Sequence, residues 1–158
     1  MIRVADVVPG DEDAIVALYA ELDEFYEVSS PGTPGERAAR AERVRQALFG
    51  NPPLGHALLA WDGSVRAGFA GYSFIWPSSA LTTSLYLKEL YVAAAYRRSG
   101  VGRLLMDRLR EIAVARGCTR IEWTTDTGNL AAQGFYESLG ARPLPTKLFY
   151  RVPLPEVQ

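Results

Sequence analysis

The stretch Leu85-Tyr86-Leu87-Lys88-Glu89-Leu90-Tyr91-Val92, followed shortly by Arg97-Arg98-Ser99-Gly100-Val101-Gly102-Arg103, constrains this chain more than any other. It predicts a β-strand, a short connection and a basic, glycine-containing turn that opens directly into a helix. The first N–H groups of a helix have no partner within it, and the aligned peptide dipoles there favour an anion. Gly100 and Gly102 let the main chain approach a ligand closely, because no Cβ intervenes. Arg97, Arg98 and Arg103 add positive charge, so the chemistry fits a phosphate. The dinucleotide fingerprint and the NTPase loop are both excluded, since R-x-x-G-x-G has neither a third glycine nor a Lys-Ser/Thr pair. Taken alone, such a segment is equally compatible with a plain turn.

The segment that follows adds weight. Leu104, Leu105, Arg108, Leu109, Ile112 and Ala113 continue the spacing begun at Val101, which predicts an amphipathic helix over 101–116 stopped by Gly117. Residues 119–125 alternate as a strand. Asn129 is placed to cap a helix over 130–139 that ends at Gly140, with Ala132, Phe135, Tyr136 and Leu139 on one side.

R-R-S-G-V-G after a strand, then N-x-x-A-x-x-F-Y-x-x-x-G after the next strand, resembles the GNAT superfamily of acetyl-CoA-dependent N-acetyltransferases. The first motif matches at Arg97, Gly100 and Gly102, the second at Asn129, Ala132, Phe135, Tyr136 and Gly140, and the element order extends the likeness over nearly the whole chain. The resemblance implies an α+β (mixed α/β) fold, a central mixed sheet of six to seven strands flanked by about four helices, in a single domain spanning 1–158. It implies acetyl-CoA as co-substrate, its diphosphate held by Arg97, Arg98, Ser99, Gly100, Val101, Gly102 and Arg103. By the same resemblance the pantetheine arm bonds the main chain of a splayed strand at Leu90, Tyr91 and Val92, and Asn129 touches the coenzyme as well as capping its helix. Tyr136 is implied to protonate the leaving thiolate.

Elsewhere, residues 2–7 alternate as a first strand, and 11–26 and 36–49 read as helices separated by a Ser/Pro/Gly-rich loop over 28–35. Strands follow at 57–61 and 65–75, joined by an Asp62-Gly63 hairpin turn. Trp76-Pro77 interrupts before a strand over 81–92. Residues 147–152 read as a final strand, with a further short one near Arg142, and 153–158 as a frayed tail.

With 158 residues, 48% hydrophobic and 22% charged, composition is that of an ordinary globular domain. No apolar run approaches the ~20 residues that cross a bilayer, and the first residues lack a signal-peptide core. One cysteine, Cys118, excludes an internal disulfide, and with His56 the only histidine no zinc cluster is expected. Cys118 and His56 are read as packing residues, and the cytoplasm as the compartment. Nine acidic side chains and one basic one fall within residues 1–36, against nine and sixteen in the remainder. The basic surplus forms no stripe with interleaved aromatics, so nucleic acid and membrane are not expected partners.

Acetyl transfer to an amine needs a base. A lysine-like amine of pKa near 10.4 is neutral about once in 2,500 molecules at pH 7. Glu89, on the strand bordering the expected cleft, is the candidate base, directly or through water; its alternative is an ordinary surface glutamate. The first two helices and their loop wall the acceptor side in the family. Here that region carries Glu21, Asp23, Glu24, Tyr26 and Glu27 without nearby positive charge, which suits a cationic amine. Glu24, Tyr26, Glu27 and Trp76 are the candidate acceptor ligands, the aromatics through cation–π contact. Leu59-Ala60-Trp61, Gly68-Phe69-Ala70-x-Tyr72-x-Phe74 and the 85–92 strand are similar to diamine and polyamine acetyltransferases, while Lys88 and the Arg-rich second helix depart from them. The expected activity is acetylation of a small, cationic primary amine (diamine, polyamine or amino-acid-like) in a ternary complex. A protein lysine or N-terminal acetyltransferase and a catalytically silent acyl-CoA sensor are the alternatives. The family also includes homodimers, though nothing in the sequence specifies such an interface.

Overall fold

The computed structural model describes residues 1–27 and 32–156; residues 28–31 of the expected loop and 157–158 of the expected tail lie outside the described residues. The chain divides into two compact units, Met1–Thr124 and Thr125–Gln158.

The first unit runs β1 (Ile2–Asp6), α1 (Glu12–Phe25), α2 (Pro34–Phe49), β2 (His56–Asp62), β3 (Val65–Ile75), β4 (Thr83–Val92), α3 (Val101–Ala115) and β5 (Cys118–Glu122). The sheet follows chain order, β1 to β5, antiparallel until β5 joins β4 in parallel. The connection between β2 and β3 is two residues long with Gly63 at φ +59°, as a tight hairpin requires. The β4–β5 pair is parallel because α3 carries the chain back across the sheet between them.

Alternation along β2 and β3 sorts side chains onto two faces. Ala57, Leu59, Phe69 and Tyr91 pack with Ile15, Leu18 and Leu22 of α1, supported by Val44 and Leu48 of α2. The opposite face, including Leu58, Ala60, Ala70, Leu85 and Leu87, is buried on the side of α3, which contributes Val101, Leu105, Met106, Leu109 and Ala113. Leu104 lies outside this stripe and is exposed, its expected place taken by Met106. Gly68 marks a close approach: a Cβ there would lie 2.6 Å from the Tyr91 carbonyl oxygen and 3.4 Å from Val101 Cγ1. Its missing side chain seats the first residue of α3 against the sheet.

The second unit contains α4 (Leu130–Ser138), capped by Asn129 and ended by Gly140 at φ +85°. The expected count of six to seven strands is corrected to five among the described residues. Residues 147–152 and those around Arg142 form no strand, and Leu148, Phe149, Tyr150 and Val152 stand exposed. A strand needs a partner ladder as well as a favourable composition, and Pro143, Pro145, Pro153 and Pro155 bracket this segment without an N–H to donate. β5 ends at Glu122, short of the expected 125. β4 begins at Thr83 because Ser79–Leu81 form a 3₁₀ turn with Ala80 and Leu81 at φ +56° and +62°.

Candidate active site

β4 is hydrogen-bonded along most of its length on one side only. It pairs with β3 from Ser84 to Val92, but with β5 only from Thr83 to Tyr86. From Leu87 to Val92 its outer edge has no strand partner among the described residues. At ~3.3 Å per residue this leaves roughly 20 Å of main-chain edge open to a ligand. The expected coenzyme contacts Leu90, Tyr91 and Val92 all fall within this edge.

A β-bulge sits at its start. Gly71 pairs with Glu89 and Tyr72 with Leu87, so Lys88 is the extra residue. Bulges increase local twist and shift side-chain phase by one. Leu85 and Leu87 therefore face α3, whereas Glu89 and Tyr91 share the opposite face with Gly71 and Phe69, the face covered by α1. With Lys88 in step in a regular ladder, alternation would have sent Glu89 under α3.

Beyond β4, a 3₁₀ turn (Ala94–Tyr96) leads into residues 97–100, where Arg98 and Gly100 adopt left-handed backbone at φ +62° and +90°. Gly100 is the N-cap of α3, and no side chain caps this helix. The first-turn N–H groups thus point outward without a side-chain acceptor, and alternating left-handed residues before a helix form an anion-binding concavity. Arg98, Ser99, Gly100 and Arg103 are exposed around it, Gly102 is half-buried, and Val101 is buried as the anchor.

Arg97, grouped with the turn by sequence, takes another course. Its Nε donates to the Val92 carbonyl at 3.4 Å, and its guanidinium lies 5.0 Å from the Phe25 ring centroid and 5.8 Å from that of Tyr91. The Tyr91 hydroxyl donates to the Glu21 carboxylate at 3.3 Å. Burial, and then the Glu21 charge, push the Tyr91 phenol upward.

Glu89 is partly exposed and lies 3.8 Å from the Lys88 ammonium. It borders Tyr19, whose phenol is raised first by burial and then by the charges of Glu89 and Asp23; the Tyr19 ring stands 6.0 Å from that of Phe69. Glu21 and Asp23 are half-buried on α1, whereas Glu24, Tyr26 and Glu27 are exposed, Tyr26 edge-on to Phe25. The fold brings together Glu89, Tyr91 and the inward row of α1. It does not bring Trp76 to them: that residue, exposed beyond the end of β3, lies about 17 Å along the strand direction from Gly71, the partner of Glu89. Trp76 instead donates its Nε1–H to the Leu81 carbonyl at 2.9 Å. Tyr19, Glu21 and Asp23 went unselected in the sequence because helix periodicity gives their spacing without saying which strand residue they meet.

In the second unit, Asn129 Oδ1 accepts from the Ala132 N–H at 3.1 Å, which fulfils its expected capping role. Tyr136 is half-buried, its ring 5.4 Å from that of Phe135.

A separate cavity of about 450 Å³ lies toward the C-terminal end of α3, bordered by Asp6, His56, Tyr72, Arg108, Glu111 and Arg116. Arg108 is paired with both Asp6 and Glu111, at 3.4 and 3.1 Å. His56 stacks on Tyr72 with centroids 5.4 Å apart, and burial, then Arg116, lower its pKa. It serves as a neutral packing residue at neutral pH. Among the described residues no cluster of three or more His, Cys, Asp or Glu side chains is arranged for a metal, and no helix is long and apolar enough to cross a membrane.

An uncapped helix start beside an open strand edge is the arrangement implied by the sequence motifs, and residues 15–141 match the Acetyltransferase (GNAT) family. The chain belongs to that family. Thialysine N-epsilon-acetyltransferase of Sus scrofa is 29% identical over 151 residues, covering 90% of this chain and 85% of its own. Spermidine/spermine N(1)-acetyltransferase-like protein 1 of Homo sapiens is 32% identical over 106 residues, 63% of this chain but 15% of that longer protein. An integron cassette protein from the mobile metagenome of V. cholerae superposes with a TM-score of 0.81 at 25% identity, covering 96% and 92% of the two chains. This GNAT protein is therefore an acetyltransferase, akin to the diamine and polyamine group.

Proposed function

We propose that this GNAT acetyltransferase moves an acetyl group from acetyl-CoA to a primary amine of a small cationic acceptor, by direct attack in a ternary complex. The observation that carries the reading is the juxtaposition of an α3 start without a side-chain cap and the Leu87–Val92 edge of β4, beyond the reach of its pairing with β5 among the described residues. The outward N–H groups of the 98–103 turn grip the diphosphate, and the main chain at Leu90, Tyr91 and Val92 bonds the pantetheine arm. Glu89 removes a proton from the bound ammonium, directly or through water, and the neutral nitrogen attacks the thioester carbonyl. A β4 backbone N–H meets the developing oxyanion. As the C–S bond breaks, Tyr136 gives its phenolic proton to the departing thiolate as a general acid.

For the acceptor we infer a molecule with more than one cationic centre. Glu21, Asp23 and Glu89 place three carboxylates about one face of β4 and α1, with the rings of Tyr19 and Tyr91 between them. One carboxylate takes the reacting ammonium, and the others hold a second charge. The names of the relatives, thialysine and spermidine/spermine acetyltransferases, support this. The reading includes one catalytic domain, a cytoplasmic location and neither nucleic acid nor membrane as a partner.

The test is thiol release from acetyl-CoA with thialysine, ornithine, spermidine and a lysine-containing peptide as acceptors. Release with a small dibasic amine, and much less with the peptide, is expected. Calorimetric binding of CoA without release for any amine points to a silent sensor; absence of CoA binding to folded protein overturns the reading.

A further inference from the structure

The side chain of Arg97 is turned away from the uncapped start of α3. Its guanidinium spans the Phe25 ring at the end of α1 and the Tyr91 ring on β4, at 5.0 and 5.8 Å, while its Nε–H holds the Val92 carbonyl. Tyr91 is in turn fastened to Glu21, one helical turn before Phe25. One residue of the phosphate-binding turn is thus clasped to the helix that walls the acceptor side.

We propose that Arg97 is a positioning residue that couples the coenzyme turn to the acceptor wall, so that occupation of one orders the other. The inference rests on the acetyl-CoA reading above, since the turn must have a ligand for the coupling to act. A planar guanidinium suits the task. It stacks on aromatic faces and donates in its own plane at the same time, which an ammonium on a flexible stem does not. When backbone amides 98–103 close on a diphosphate, the φ/ψ angles of the turn are fixed. The root of the Arg97 side chain is fixed with them, and its guanidinium then restrains Phe25 and, through Tyr91, Glu21. Coupling between sites is reciprocal, so acceptor binding must strengthen CoA binding by the same factor. Two cation–π contacts, one to the exposed Phe25 ring and one to the buried Tyr91 ring, each worth a few-fold, give a coupling of roughly tenfold.

Hydrogen exchange of the full chain with and without CoA tests this. In the wild type, CoA is expected to protect both the turn and early α3 (98–106) and the end of α1 (19–27). Arg97→Ala should keep the first protection and lose the second, with its acceptor KM raised roughly tenfold and kcat little changed. Arg97→Lys should behave like Arg97→Ala despite its charge. Persistence of the α1 protection in Arg97→Ala, or its full recovery in Arg97→Lys, would overturn the proposal. Failure of CoA to protect 98–106 in the wild type would instead remove the acyl-CoA reading, and the coupling with it. Arg97 is exposed, so the variants are expected to melt close to the wild type.

Discussion

At the start of α2, Thr33 Oγ1 accepts the Glu36 N–H at 3.2 Å, the Glu36 carboxylate accepts the Thr33 N–H, and Pro34 fills the first helical position. At the start of α3, Gly100 brings no side chain and the following first-turn N–H groups are left to the outside. Both ends present the same orphan donors and the same dipole. The first satisfies them internally and gains stability; the second leaves them for a ligand and relies on the burial of Val101, Leu105 and Met106 to hold the helix. α4 resembles α2 in this respect, since Asn129 closes its start. A capped helix has only side chains to offer chemistry, whereas an uncapped one also offers its backbone.

That contrast predicts different failures at the helices. Tyr136→Phe, on a capped helix, should lower turnover about 10²–10⁴-fold while the calorimetric affinity for acetyl-CoA stays near wild type; unchanged turnover would remove Tyr136 from the mechanism. Gly100→Asp, which puts an anion where one is expected to bind, should weaken CoA binding roughly 100-fold or more. Aspartate tolerates left-handed backbone better than most residues, so a melting curve close to wild type should accompany the loss. Near-normal affinity in that variant would show that the two helix starts do not differ in use. Thr33→Ala should do the converse, costing about 1 kcal/mol of stability in denaturant titration with CoA affinity intact.

The smallest effect concerns acid. Hydrogen bonds from the Thr33 backbone, then its side chain, hold Glu36 below the ordinary carboxylate range. A carboxylate depressed in the folded state contributes stability above its unfolded pKa and loses it as pH falls through the folded value. Glu36→Gln, which keeps the box but not the charge, should therefore shallow the decline of the urea midpoint on acidification. A decline as steep as wild type would assign the acid sensitivity to other groups.

How much of this was legible follows from where each signal resides. The turn at Arg97, Gly100 and Gly102 and the cap at Asn129 are local, and local chemistry is written in consecutive residues. Gly68 is local too, but its reason is the distant carbonyl of Tyr91. Residues 147–152 carried strand-forming side chains, yet what decides a strand is an edge to pair with, and no run of six residues encodes that. The row of Tyr19 and Asp23 is visible as helix spacing, but its meeting with Glu89 depends on strand phase. That phase was itself readable: Leu85 and Leu87 keep one alternation, while Leu90 and Val92 resume in the other. The break announces the bulge at Lys88.

The bulge has a consequence for how this protein can vary. At position 88 what matters is that the residue stays out of the ladder, and its identity matters little. Any side chain that tolerates solvent can stand there, and excising the residue would leave Leu87 on Tyr72 and Glu89 on Gly71 in plain alternation, with only the local twist lost. What would bury the carboxylate and turn Leu90 to the amine is a ladder drawn straight with the residue still in step. Homologues with this chemistry should therefore differ freely at this site by substitution, and one that lacks the residue should lack the bulge as well while keeping its carboxylate on the same face.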